Sequence, residues 1–220
     1  IQIIWQNNFD LKLDKLFSKL INHWCKQFNA LNINHQKILD DLIEFSRQRI
    51  ISHLEESSYD KEIISSTCES ENIRHLNLLN IADLKNRIET IQKFKSGNNS
   101  SSLINIISRY TKLANKGNLE KNIYACKDKI NIKLFEKKSE INVFKFLQSL
   151  ENLVNTNDWE YDQLINLFEE NIQVLIEIFD NKNGVMVMTE DLNLRKNRLN
   201  LLAIVRNYSL LLADFTLLNF

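Results

Sequence analysis

Proline is absent from the 220 residues, and glycine occurs only three times. A chain of average composition would carry about eleven prolines at the usual ~5%. Proline interrupts helix interiors, and proline and glycine together punctuate the turns of sheet proteins. Their scarcity excludes turn-rich β architectures and predicts an all-α fold. Three glycines also leave no room for a phosphate-cradling loop. Neither G-x-G-x-x-G, a P-loop, G-x-S-x-G nor H-E-x-x-H occurs.

Cysteine is equally sparse. Cys25, Cys68 and Cys126 are widely spaced, odd in number and form no C-x-x-C pair, and no N-terminal secretory signal is visible. An intracellular location, cytoplasmic or nuclear, is expected. An excess of charge of either sign is lacking too, with 28 basic and 28 acidic side chains. Bulk charge therefore predicts neither nucleic acid nor membrane as a partner. The longest apolar stretch, residues 199–220, contains Arg206 and Asp214. A charge near the centre of a membrane span is costly, so no span is expected.

Metal chemistry finds little support. His23 and Cys25 lie two apart and diverge on a helix, while His35, His53 and His75 are isolated. No Glu is followed three residues later by His, as a di-iron bundle would require. No cofactor, no metal and no catalytic residue are expected, and the chain reads as a non-enzyme.

Apolar periodicity is what the sequence does have, in a chain that is 44% hydrophobic. Phe9, Leu13, Leu16, Leu20, Trp24, Phe28 and Leu31 recur every three or four residues, and Ile38, Leu42 and Phe45 resume the stripe. The spacing predicts one long amphipathic helix of coiled-coil character over residues 1–56. An acidic, serine-rich linker at 57–72 and a helical bundle at 73–220 complete the expected organisation, an elongated multi-helix bundle continuous with the first helix. Within the bundle, helices are expected at 73–95, 103–114, from 119 to about 130, from a cap at Ser139, and from Asn157–Glu160 onward. The last helix carries Leu201, Ile204, Tyr208, Leu211, Phe215 and Leu218 as a 3-4-3-4-3 stripe, with Leu199, Leu202, Val205 and Leu212 on a second face.

Charge is segregated along the chain. Between Lys85 and Lys138 thirteen basic residues face four acids, and residues 151–180 carry eight acids and no Lys or Arg. The two stretches either neutralise each other at packed rims or leave a basic surface at Lys112, Lys116, Lys121, Lys127, Lys129, Lys133, Lys137 and Lys138. Lysine dominance suits non-specific phosphate attraction and carries no base readout.

These features predict a non-catalytic scaffold or adaptor subunit of a eukaryotic multiprotein assembly, of kinetochore, tethering, autophagy or cytoskeletal type. Its partners would be other protein chains, helical ones or a second copy of itself. They would dock on apolar helix faces that include Trp5, Phe9, Leu201, Ile204, Tyr208, Leu211, Phe215 and Leu218. The alternative is a BAR-like basic helical module on an anionic membrane surface, placed ahead of nucleic acid.

Overall fold

The computed structural model describes residues 2–7, 9, 11–28, 34–73, 80–97, 100–156 and 158–219. The chain is about 71% helical, with no strand among the described residues. The fold is all-α. Two compact units partition it, Ile1–Glu89 and Thr90–Phe220. The division falls within helix α5 (Ile81–Lys95), the fifth in chain order.

In the first unit the single long helix is replaced by α1 (Gln2–Asn7), α2 (Leu13–Gln27) and α3 (His35–Glu56). At Phe28 the backbone leaves the helical region, with φ −120° and ψ 55°. Asn34 then restarts a helix, its side-chain oxygen accepting from the Lys37 N–H at 3.1 Å. Asparagine competes with the helical backbone for hydrogen bonds, so it favours caps over interiors. Leu31 lies outside the described residues. The expected stripe is also not the buried one: α2 buries Ile21 and leaves Leu20, Trp24 and Phe28 exposed.

The core of this unit is built from Trp5, Ile50, Leu54, Ile63, Ile64, Ile73, Ile81, Leu84 and Ile88. Each such side chain, fully withdrawn from water, contributes about 1.5–3 kcal/mol. The indole N–H of Trp5 donates to the Ile81 carbonyl at 2.8 Å. The expected linker is helical for much of its length, as α4 (Lys61–Ile64), a π-helical turn (Ser65–Glu69) and a 3-10 turn (Glu71–Ile73). Ile63 and Ile64 pull it inward, and its hydroxyls survive burial because local carbonyls accept them. Thr67 Oγ1 donates to Ile63 O at 2.6 Å and Ser66 Oγ to the same oxygen at 3.0 Å. The helix expected from residue 73 is described from Ile81; residues 74–79, His75 among them, lie outside the described set.

The second unit contains α6 (Ser100–Ala114), α7 (Lys138–Val154), α8 (Tyr161–Glu170), α9 (Ile172–Glu177) and α10 (Leu192–Leu210). Helix α10 packs on α6 and α7, and α9 on both of these. From Asn197 to Leu210 every α10 residue is buried. The helix expected from residue 119 is instead an irregular loop ending in a 3-10 turn (Ile132–Leu134). Helix α7 starts one residue before Ser139, whose hydroxyl donates to Asn183 O at 2.7 Å rather than capping it. Helix α8 starts at Tyr161, where the Glu160 N–H donates to Gln163 Oε1 at 3.0 Å; Asn157 lies outside the described residues. Among the described residues no helix is long and apolar enough to cross a membrane.

Candidate functional site

Five amide and guanidinium side chains interrupt the apolar run of α10: Asn197, Arg198, Asn200, Arg206 and Asn207, each at most 9% exposed. A buried polar group is costly unless paired, and all of these but Arg198 are paired with the irregular loop or the residues that lead into it. Asn207 Nδ2 donates to Glu120 O at 2.8 Å and Ile123 O at 2.6 Å. Asn200 Nδ2 donates to Lys129 O at 2.8 Å. Asn197 Nδ2 donates to Asn131 O at 3.1 Å, and the Asn131 N–H returns a bond to Asn197 Oδ1 at 2.7 Å.

Arg206 reaches the start of the loop, donating to Asn115 Oδ1 at 3.1 Å and Leu119 O at 2.9 Å, and also to Asn207 Oδ1. Its partners are neutral, and burial lowers its pKa. The carbonyls that a helix would have used are thus claimed by α10. Asp128, at φ 64°, bends the chain left-handed, which asparagine and aspartate tolerate better than most residues. Buried Cys126 anchors that bend, its carbonyl accepting from the Lys129 and Ile130 N–H groups at 3.2 Å each. Burial pushes the Cys126 thiol up to about 12, so it stays neutral at ordinary pH.

The loop's end is fixed by an ion cluster. Arg198 Nε donates to Glu140 Oε1 at 2.9 Å, Nη2 to Glu136 Oε2 at 2.7 Å and Nη1 to Met186 O at 3.1 Å. Burial pulls the guanidinium pKa down, but the bonds to Glu140 and Glu136 outweigh it and the net shift is upward. The other carboxylate oxygen of Glu140 accepts from the Glu136 and Lys137 N–H groups at 2.8 and 3.0 Å, satisfying donors where α7 begins.

The lysines of the expected basic surface ride on this scaffold. Lys112 is in the last turn of α6, Lys116 just beyond it, Lys127 and Lys129 flank Asp128, Lys133 is in the 3-10 turn, and Lys137 and Lys138 begin α7. All seven are exposed, and Lys121 is half-buried. Among the described residues those seven have no acidic partner within 4.0 Å. Lys93 and Asp162, 3.3 Å apart, do pair across the basic and acidic stretches. Neutralisation at packed rims thus leaves those seven lysines exposed. Among the described residues no three His, Cys, Asp or Glu side chains gather as a metal site.

The residues expected to dock partners lie elsewhere. Leu201, Ile204, Tyr208, Phe215 and Leu218 are buried in the second unit's own core, and Leu211 is half-buried. Trp5 is buried in the first unit, whereas Phe9 is 52% exposed. Of the 3-4-3-4-3 stripe expected on one last helix, α10 carries only Leu201, Ile204 and Tyr208; Leu211, Phe215 and Leu218 lie beyond its end at Leu210, Phe215 in a 3-10 turn (Phe215–Leu217), and the stripe is spent inside its own unit. The sequence reading takes Arg206 as evidence against a membrane span but assigns no buried partners to the polar residues of this helix. Their signal was available: five polar groups on a helix apolar on two sides must find buried partners.

No protein-family model matches the chain. The chain is similar to the glycine–tRNA ligase beta subunit of Acaryochloris marina (strain MBIC 11017), 27% identical over 220 residues. The match covers 98% of this chain and 30% of that protein. The same-named subunit of Trichodesmium erythraeum (strain IMS101) is 27% identical with the same coverage. That of Buchnera aphidicola subsp. Acyrthosiphon pisum (strain 5A) is 27% identical over 227 residues, 99% of this chain and 29% of that protein. The chain thus spans less than a third of the length of the curated relatives it matches.

These relatives overturn the functional expectation. They are enzyme subunits from bacteria, so the eukaryotic scaffold or adaptor is withdrawn, and with it the reading as a non-enzyme. The BAR-like membrane alternative falls too, since the long helix it needs is divided at Phe28.

Proposed function

We infer that this chain is a segment of a glycine–tRNA ligase beta subunit and that its second unit contacts tRNA through the lysines of the 112–138 segment. Seven exposed lysines, without acidic partners among the described residues, carry the reading; they lie on and beside a loop held by buried side chains of α10. Phosphate contacts dominate affinity for nucleic acid and fix orientation on it. A loop already ordered before binding loses less entropy when RNA arrives. The order in which a membrane was placed ahead of nucleic acid is accordingly reversed.

A beta subunit implies at least one further kind of subunit, so the protein partner is another chain of the same ligase. The location that follows is cytoplasmic, since the bacterial relatives leave no place for the nuclear option. The chain's two compact units each contribute to this subunit as separately cored bodies.

Filter binding of total bacterial tRNA at 50 mM and 300 mM salt tests the site. A variant reversing Lys127, Lys129, Lys133 and Lys137 to Glu should lose tRNA affinity by at least about tenfold at low salt, with an unchanged circular dichroism spectrum. Unchanged affinity in a folded variant overturns it.

A further inference from the structure

The first unit carries a second row of basic side chains. Lys12, the extended N-cap residue of α2, is followed by Lys15, Lys19, His23 and Lys26 within the helix, at spacings of 3, 4, 4 and 3. At 3.6 residues per turn they fall within about 80° of arc, on a line about 21 Å long. Lys12, Lys15 and Lys19 are exposed, and with Leu11 and Leu16 they line a concavity of about 330 Å³. Among the described residues none of these three has an acidic partner within 4.0 Å.

Solvated helix faces ordinarily interleave acids and bases at i, i+4, because like charges there destabilise the helix. Here Lys12–Lys15 and Lys15–Lys19 oppose each other with no intervening acid on the row. Asp14, the acidic residue of this helix, lies about halfway round it from Lys12 and is half-buried. Among the described residues no acid within 4.0 Å relieves this repulsion. A polyanion with regularly spaced charges would relieve it.

We propose that the Lys12–Lys15–Lys19 row of α2 is a second RNA site, taking successive backbone phosphates of a folded RNA. The choice of RNA rests on the reading of this chain as a tRNA ligase segment. The row itself is independent of the 112–138 lysines, being in the other compact unit. Lys12 to Lys19 spans about 10.5 Å along the helix axis, enough to meet two or three neighbouring phosphates of one strand. The row makes no contact with base edges, so it adds affinity and orientation without sequence preference.

The test uses the full 220-residue chain and total bacterial tRNA as probe, titrated from 50 to 300 mM salt. Three proteins are compared: wild type, Lys12→Gln/Lys15→Gln/Lys19→Gln, and Lys127→Gln/Lys129→Gln/Lys133→Gln/Lys137→Gln. The α2 variant should lower the slope of log K against log salt by about 2–3, near one per lost phosphate contact. In wild type, tRNA should also protect Lys12, Lys15 and Lys19 from acetylation, read by mass spectrometry, and this protection should survive in the 127–137 variant. An unchanged slope together with unprotected α2 lysines overturns the proposal while leaving the 112–138 reading intact. Loss of binding in the α2 variant alone supports it and sinks the other site. Protection by phosphatidylglycerol vesicles but not by tRNA overturns it in favour of a lipid surface.

Discussion

Asn197 and Asn131 exchange two hydrogen bonds, one at 2.7 Å and one at 3.1 Å, so that a buried side chain takes the place of a neighbouring backbone. Asn200 and Asn207 repeat the device at Lys129, Glu120 and Ile123. Three amides on one side of α10 thereby hold an irregular loop that has neither helix nor strand bonds of its own to rely on. Order in the lysine segment is a property of α10.

Asn207→Ala should therefore loosen the loop before it loosens the helices. Removing one partner costs about 1–3 kcal/mol for each buried group left unsatisfied, and Asn207 serves two carbonyls as well as the Arg206 guanidinium. Amide hydrogen exchange should rise across residues 115–131 and stay slow in α6 and α7. Uniformly faster exchange through the second unit would show that the amide supports the whole core instead.

The sequence makes the helical class legible because it depends on few residues: a chain without proline has little else to become. The break at Phe28 was not legible, since the apolar period runs straight through it and only Asn34, as a cap, opposes it. The loop at 119–130 was missed for a related reason. Leu119, Ile123, Cys126 and Ile130 have helical spacing, but the residues that decide their conformation are about seventy to ninety positions away on α10. The lysine surface was legible as composition. That seven of its lysines meet no acid among the described residues depends on tertiary packing, which spacing does not encode.

Ile204→Ala should behave as a core truncation. Ile204 is fully buried, and truncating a buried Ile costs about 2–5 kcal/mol. Chemical denaturation should show a lower midpoint for the second unit with tRNA affinity of the folded fraction unchanged. A variant of wild-type stability that had lost a protein partner would restore the docking role for this stripe.

Glu140 and Glu136 should differ sharply although both contact Arg198. The Glu140 side chain is fully buried, whereas that of Glu136 is 62% exposed. Breaking a buried pair costs about 3–5 kcal/mol, against about 0–1 kcal/mol for an exposed one. Glu140→Gln also turns an amide donor toward a guanidinium that can only donate. Thermal melts of Glu140→Gln and Glu136→Gln should separate by several degrees in that order, and equal melts would show that the cluster acts as one exposed unit.

Alkaline pH should destabilise the protein through its buried thiols. The Cys126 thiol is pushed up to about 12 by burial, and burial raises Cys68 as well. An unfolded thiol titrates near about 8.5. Between these values the unfolded chain releases a proton that the folded chain keeps, so stability falls as pH rises. For Cys126 alone the loss by pH 10 is on the order of 2 kcal/mol. Tyr110 and Tyr208, whose hydroxyls are also raised by burial, add to the fall only above about pH 10. Melting temperature measured from pH 7.5 to 10 should decline in the wild type, decline less in Cys126→Ala, and level out further in Cys68→Ala/Cys126→Ala. The neutral-pH stability of each variant is its own reference, which separates the slope from the packing cost of the lost sulfur. Parallel slopes in all three proteins would place the alkaline transition in groups other than these thiols.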